Sequence, residues 1–217
     1  MPNWVITRIF ITGLEDKIKE FEDKVIDMSE EADKAFSFQR ILPIPEELVN
    51  TQCPPPKSKK IKVKTLSGEE LEIEEIPDCN NATPEMCRDL EARFGHNNWY
   101  DWNNCNWGTK WDARESTYNQ EDKILEFQTA WSCPSEVIQK MAEMFPDLTF
   151  QGTYADEDFG SNTGWIEDGE IYSFEDSTEE AYETAATLWG YEGYYDDDKG
   201  KWIFEGDCVD LNEDEDE

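Results

Sequence analysis

Residues 4 to 12 alternate as a strand does, with Val5, Thr7, Ile9 and Ile11 on one face and Trp4, Ile6 and Phe10 on the other. Both faces need cover, so the stretch reads as a central strand. Leu14, Ile18, Phe21, Val25 and Met28 follow at helical spacing, and Thr12 with Glu15 has the form of a capping box, which predicts a helix over 14 to 28. Two more strands are expected at 109 to 119 and 123 to 132, joined by the polar turn Gln120, Glu121, Asp122, with Leu125, Phe127, Thr129 and Trp131 on the buried face of the second. Pro134 opens a second helix bearing Val137, Ile138, Met141, Met144 and Phe145, Pro146 closes it, and Leu148 to Tyr154 alternates again. The order β, α, β, β, α, β is that of the α+β ferredoxin-like split βαβ arrangement. It implies an antiparallel sheet with both helices on one face and the first and third core strands paired at its centre.

Residues 29 to 108 interrupt that order and read as an insertion. Pro43, Pro45, Pro54, Pro55 and Pro56 break regular structure; a hairpin is expected either side of Ser67 and Gly68, its first strand basic and its second acidic. Thr83, Pro84 and Gly95 cap, open and stop a helix ending at Phe94. The insertion is expected to dock on the open sheet face, where Trp4 and Phe10 need cover. Beyond the core domain of residues 1 to 160, residues 161 to 206 read as an α/β extension packed on it. A hairpin turns at Asp168 and Gly169, a helix capped by Ser177 and Glu180 stops at Gly190, and a last hairpin turns at DDDKG between Tyr194 and Phe204. Residues 207 to 217 form an acidic tail with too little apolar content to fold alone, expected to be disordered.

The segment WYDWNNCNWGTKWDA, from Trp99 to Ala113, holds four of the nine tryptophans: Trp99, Trp102, Trp107 and Trp111. Such rings expose large apolar surfaces unless buried, so all four are expected to pack on the core as a structural aromatic cluster. Asn103, Asn104, Asn106 and Gly108 are turn formers, and they make the segment read as a tight polar turn between aromatic anchors. The alternative is a pocket that uses Asp101, Lys110 and Asp112 beside the rings.

Composition changes the picture in one respect. Among 217 residues, 52 are acidic and 19 basic, a formal charge of -33, while 13% are aromatic, which is too many for a disordered acidic chain. A surface this negative repels phosphate backbones and anionic membranes, and KSKKIKVK at 57 to 64 is too small to reverse that. A basic protein partner is favoured instead. No apolar run reaches membrane-spanning length and the N-terminus lacks the features of a signal peptide, so a cytoplasmic location is expected.

No cofactor or metal is expected. The six cysteines (Cys53, Cys79, Cys87, Cys105, Cys133 and Cys208) show no CxxC spacing and read as free thiols. Asp156, Asp158, Asn162 and Glu167 fit a calcium loop poorly, because Gly160 and Ser161 occupy its fifth and sixth positions. An enzyme would be built on His96, the sole histidine, with Asp101 and Cys105. No nucleophile elbow or phosphate loop accompanies them, and a non-enzymatic role is expected.

MPNW, ILPIPEEL, the WYDWNNCNWGTKWDA segment and QTAWSCPSEVIQKMAEMFP together resemble the YubB-like proteins of phages and plasmids, over roughly residues 1 to 160. The resemblance implies a ferredoxin-like domain and a mobile-element origin. It implies no established activity and supplies no catalytic residue.

Charge and origin together point to an inhibitor. A compact chain of this length has a radius of gyration of about 17 Å, and duplex DNA across its diameter of about 45 Å presents about 26 phosphates. The negative charge is concentrated: residues 151 to 217 carry 23 acidic and 2 basic side chains, net -21, against 29 and 17, net -12, before them. The expectation is a DNA mimic of the anti-CRISPR or anti-restriction type. It would occupy the basic surface of a host protein or nucleoprotein complex (a nuclease, CRISPR or restriction component) through Asp156, Glu157, Asp158, Asp196, Asp197 and Asp198. The alternative is a protein-interaction or structural module whose charge confers solubility.

Overall fold

A computed structural model describes residues 2–29, 33–53, 59–64, 70–75 and 83–205 of the chain. In chain order come β1 (Trp4–Gly13), α1 (Glu15–Val25), a 3-10 turn (Phe38–Arg40), α2 (Glu46–Val49), β2 (Lys59–Lys64), β3 (Glu70–Glu75), α3 (Pro84–Phe94) and α4 (Trp99–Asn106). They are followed by β4 (Arg114–Asn119), β5 (Ile124–Ala130), α5 (Ser135–Met144), β6 (Leu148–Asp156), β7 (Gly164–Glu167), β8 (Glu170–Ser173), α6 (Glu179–Trp189), β9 (Gly193–Asp196) and β10 (Lys201–Phe204).

The main sheet runs β4-β5-β1-β6-β7-β8 and is antiparallel throughout. Its first four members have the ferredoxin-like order, with β1 between β5 and β6. The alternation of β1 sets the two layers. Thr7 stands opposite Phe127, and Ile9 opposite Leu125 on one side and Gly152 on the other. On that face Val5, Ile9, Ile11, Phe127 and Phe150 are buried beneath Ile18, Phe21 and Val25 of α1 and Val137, Ile138 and Met141 of α5. Phe21 is the junction, 5.2 Å from the ring of Phe145 and 5.7 Å from that of Phe150.

The ends of α1 differ from the expected ones. Strand pairing continues to Thr12 and Gly13, opposite Thr149 and Leu148, so the cap position falls on Leu14 and no side chain caps the helix. Ile26 then turns extended and bridges to Phe36, which leaves Met28 outside the helix and exposed. By contrast α3 has the expected ends: Thr83 Oγ1 accepts from Met86 N, Pro84 sits in the first turn, and Gly95 closes the helix at φ 76°. Strands β2 and β3 pair antiparallel with Lys59 opposite Glu75 and Lys64 opposite Glu70. Ser67, Gly68, Pro54, Pro55, Pro56 and the acidic tail at 207 to 217 lie outside the described residues.

The buried apolar residues of the insertion's described part pack on the helical side of the sheet, not on its open face. Phe36, Phe38, Ile41, Leu48, Leu90, Trp102 and Trp107 join the same core as α1 and α5, with Phe36 and Phe38 at 5.2 and 5.9 Å from Phe127 of β5. The reason is where α5 sits. It packs toward β6 and β8, close enough that a Cβ on Gly169 would meet Ala142, so β5 would be bare on the helical side without the insertion. The opposite face is covered by α6, whose Ala185 and Leu188 pack on Ile6 and Ala155. Phe10 remains 44% exposed.

Strand β4 starts at Arg114 rather than 109, with a bulge at Glu115, whose φ is 49°. β5 ends at Ala130. Trp131 leaves the strand at φ 66° and is 46% exposed, so it is not on the buried face. Asp168 and Gly169, at φ 49° and 89°, supply the two positive-φ positions of a tight hairpin and carry the sheet on to β7 and β8. Helix α6 is capped by Thr178, not Ser177, and stops at Gly190.

Candidate acidic binding surface

The first part of the tryptophan segment is a helix, Trp99–Asn106, and only its second part turns, with Gly108 at φ 74°. Asn98 caps α4: its Oδ1 accepts from Asp101 N at 2.9 Å and its Nδ2 donates to Asp101 Oδ2 at 2.7 Å. Asn104 and Asn106 then donate back to the carbonyls of Tyr100 and Trp102, four residues earlier, so these side chains follow the helix instead of turning the chain. Only Trp102 and Trp107 are buried, at 7% and 3% exposure. Trp107 Nε1 donates to the Leu42 carbonyl at 2.8 Å and its ring meets Phe38 and Trp102 edge-on. Trp99 is half-buried, and Trp111 is 37% exposed and stands against Trp4 instead of the core.

Neither alternative built on this segment is assembled in full: Asp101 and Lys110 both act on the Cys53 thiol, which burial and Asp101 raise and Lys110 lowers, but Asp112 is tied elsewhere. Asp112 accepts from Ser37 Oγ and Phe38 N and pairs with Lys34, pinning the chain that leads to Phe38, while Asp101 is held by Asn98. No hydrogen bond joins His96 to Asp101 or Cys105 among the described residues, and Cys105 is exposed on α4. Cys53, Cys87, Cys105 and Cys133 are free thiols. Burial pushes the Cys133 thiol up to about 12, against the hydrogen bond from Thr7. Cys79 and Cys208 lie outside the described residues. No group of three His, Cys, Asp or Glu side chains is placed to hold a metal among the described residues.

Of the six acidic residues expected on a contact surface, the structure withdraws one and modifies another. Asp156 is the last residue of β6, opposite Val5 on the core-facing layer, and is only 5% exposed. Its Oδ1 accepts from Asp158 N and its Oδ2 from Asn162 Nδ2, so it organises the following loop from within. Asp196 is half-buried: its Oδ1 accepts from Asp198 N and Lys199 N, and its Oδ2 pairs with Lys199 Nζ at 3.2 Å. Partial burial works to raise its carboxyl, but the bonds from Lys199 and Asp198 hold it below the usual value. Glu157, Asp158, Asp197 and Asp198 are exposed.

An aromatic cluster brings these stretches into one module. Phe159 lies 5.3 Å from Tyr182 of α6, 5.4 Å from Tyr191, 5.8 Å from Trp202 and 5.2 Å from Phe204 of β10, and Tyr182 meets Tyr195 of β9 at 5.8 Å. Three acids were not expected on this surface, Glu179, Glu183 and Glu180, the last read only as a cap; all are exposed on α6 while Ala181, Ala185 and Leu188 face inward. The helical spacing of those apolar residues was the signal. Partial desolvation, followed by the like charges of Asp197, Glu183 and Glu180, raises the Glu179 carboxyl above its usual value. The Tyr182–Tyr195 contact sets the N-terminal half of α6 beside the β9–β10 hairpin. From Glu157 to Glu205 the bases are Lys199 and Lys201, the first tied to Asp196 and the second opposite it across the hairpin.

Residues 106–190 match the family described as the ferredoxin-like domain in Api92-like protein. The chain carries a ferredoxin-like domain. The matched stretch takes in three of the four core strands (β4, β5 and β6), α5, the β7–β8 hairpin and α6, and thus part of the acidic module. No curated protein and no solved structure matches the chain. No helix among the described residues is long and apolar enough to cross a membrane.

Proposed function

We propose that the module from Glu157 to Glu205 is the binding surface of a phage- or plasmid-encoded inhibitor, and that it substitutes for nucleic-acid phosphates on the basic cleft of a host nuclease, CRISPR or restriction component. The observation that carries this reading is the Phe159 clasp. It holds the acidic first turn of α6 beside the Asp197–Asp198 turn, against their mutual repulsion, while Lys199 pairs locally with Asp196. A surface that served only solubility would intersperse both signs. Glu157, Asp158, Glu179, Glu180, Glu183, Asp197 and Asp198 are the contact residues, while Asp156 and Asp196 shape the loops that present them.

The test is capture of partners from host lysate by the intact chain at low and high salt. A basic nucleic-acid-handling protein should be retained at low salt, released at high salt and competed off by duplex DNA. Replacing Glu179, Glu180 and Glu183 by Gln together with Asp197 and Asp198 by Asn should abolish capture while leaving the fold intact. Capture that survives high salt, or that this variant retains, would overturn mimicry in favour of a salt-insensitive interaction module.

A further inference from the structure

Trp111 and Trp131 are 37% and 46% exposed, costly positions for the largest apolar side chain. They form a ledge with Trp4, at centroid separations of 6.1 Å for Trp4 to Trp111 and 6.0 Å for Trp111 to Trp131. Trp131 is held there at φ 66°, a left-handed conformation that resists a bulky side chain. Two hydrogen bonds keep it in place: Trp131 N donates to the Asn3 carbonyl at 2.9 Å, and the Trp131 carbonyl accepts from Asn162 Nδ2 at 3.0 Å.

The same contacts fasten the ledge to the acidic loop. Asn162 Nδ2 also donates to Asp156 Oδ2, Asn162 N donates to Asp176 Oδ1 at 3.2 Å, and Glu157 N donates to the Trp4 carbonyl at 2.8 Å. These contacts set the ledge beside the loops that bear the exposed carboxylates of Glu157, Asp158 and Asp176. The rings already accept cations from within the chain. Lys110 Nζ stands 4.3 Å from the centre of Trp111 and 5.2 Å from that of Trp131, and the Arg114 guanidinium stands 4.6 Å from that of Trp4.

We infer that this ledge reads arginine side chains of a basic protein partner, a guanidinium stacking on Trp131 while the adjoining carboxylates of Glu157 and Asp158 neutralise its charge. The inference rests on the reading that the partner is basic, and it adds which cation is preferred and where. Guanidinium is planar and weakly hydrated and stacks on indole, whereas an ammonium is a compact, strongly hydrated charge. Exposed tryptophan is also the residue type that dominates interface energetics. A nucleobase could stack on the same ring and bring its phosphates toward Lys110, but Arg114 is already paired with Glu115 and the carboxylates of Glu157, Asp158 and Asp176 outnumber the one remaining cation, so the charge around the ledge favours arginine.

The test measures binding of octa-arginine, octa-lysine and a labelled single-stranded oligonucleotide to the full chain, at low and high salt, for the parent, Trp131→Ala and Trp131→Phe. The parent should bind octa-arginine about tenfold more tightly than octa-lysine. Trp131→Ala should erase that preference without changing the salt dependence, because no charge is removed, and Trp131→Phe, which keeps a smaller ring on the same backbone, should retain part of it. Equal binding of the two peptides by the parent, a preference that survives Trp131→Ala, or oligonucleotide binding that requires Trp131 would overturn the arginine site and leave the acidic surface standing. Failure of both peptides to bind would overturn the basic-partner reading and this one with it.

Discussion

Trp107→Ala removes the ring that fixes the insertion to the ferredoxin-like sheet, and its cost can be worked from the contacts. The side chain is 3% exposed and lies against Phe38, which in turn lies against Phe127 of β5. Truncating a large buried aromatic costs about 3–5 kcal/mol. The lost Nε1 bond also leaves the Leu42 carbonyl without that donor, at about 1 kcal/mol more. The expected total is about 4–6 kcal/mol. In a domain of this size each kcal/mol corresponds to about 2–4 °C, so the thermal midpoint should fall by about 10–20 °C. Urea and thermal unfolding followed by far-UV circular dichroism measure it, with Trp107→Phe recovering about half by restoring a ring without the donor. Trp111→Ala is the internal control, since that ring is already 37% exposed and should cost about 1 kcal/mol. A Trp107→Ala variant that melted no lower than Trp111→Ala would show that the insertion does not depend on this ring.

Asp156→Asn keeps the shape of a buried side chain but turns one acceptor into a donor facing Asp158 N or Asn162 Nδ2, and should cost about 1–3 kcal/mol in denaturant titration. It should leave the salt dependence of partner binding unchanged, as expected of a group inside the loop. Glu22 is buried and its carboxyl is held below the usual value: burial works to raise it, but hydrogen bonds from Tyr118, Lys123 and Gln120 outweigh that. Its contribution is therefore complete above the ordinary carboxylate value of about 4.3 and is lost as pH falls through the lower folded-state value. Glu22→Gln should cost about 2 kcal/mol at neutral pH, and the unfolding curves of parent and variant should converge on acidification below about pH 4.

The core was legible where one periodicity ran undisturbed. The two faces of β1, the apolar stripes of α1 and α5, and the Thr83, Pro84 and Gly95 signals of α3 each led to the observed element. Strand continuity explains several differences. Thr12 is occupied by pairing with Thr149 and cannot cap a helix, and β6 runs on to Asp156 opposite Val5, which carries that carboxylate to the inner layer. Extending the alternation of Leu148 to Tyr154 by two residues would have placed Asp156 inside. The same alternation misled at Trp131, where a positive φ ends the strand after Ala130 and turns the ring outward. Nothing in the pattern of residues 29 to 108 says which sheet face they cover, because that depends on how far α5 shifts toward β8. The acidic surface was visible as charge and invisible as shape, since the contacts of Phe159 join segments far apart in sequence.

That clasp also explains why high acidity and high aromatic content occur in one chain. Elsewhere ion pairs connect the elements: Arg8 to Glu126 across the sheet, Lys17 to Asp147, and Lys123 to Glu22 between β-turn and helix. Among the described residues no ion pair ties the acidic module to another element: Lys199 serves its own turn, and Lys201 makes none. A two-stranded hairpin such as β9–β10 is marginal alone, and here it must also stay beside the like-charged first turn of α6. Aromatic contacts are well suited to that task, since they are insensitive to salt and each contributes about 0.5–1.5 kcal/mol beyond burial. The four rings around Phe159 can therefore offset a repulsion that ion pairs could remove only by neutralising the surface. Charge that served solubility alone would have no need to be assembled this way. Carboxylates presented at fixed spacing to a cation would.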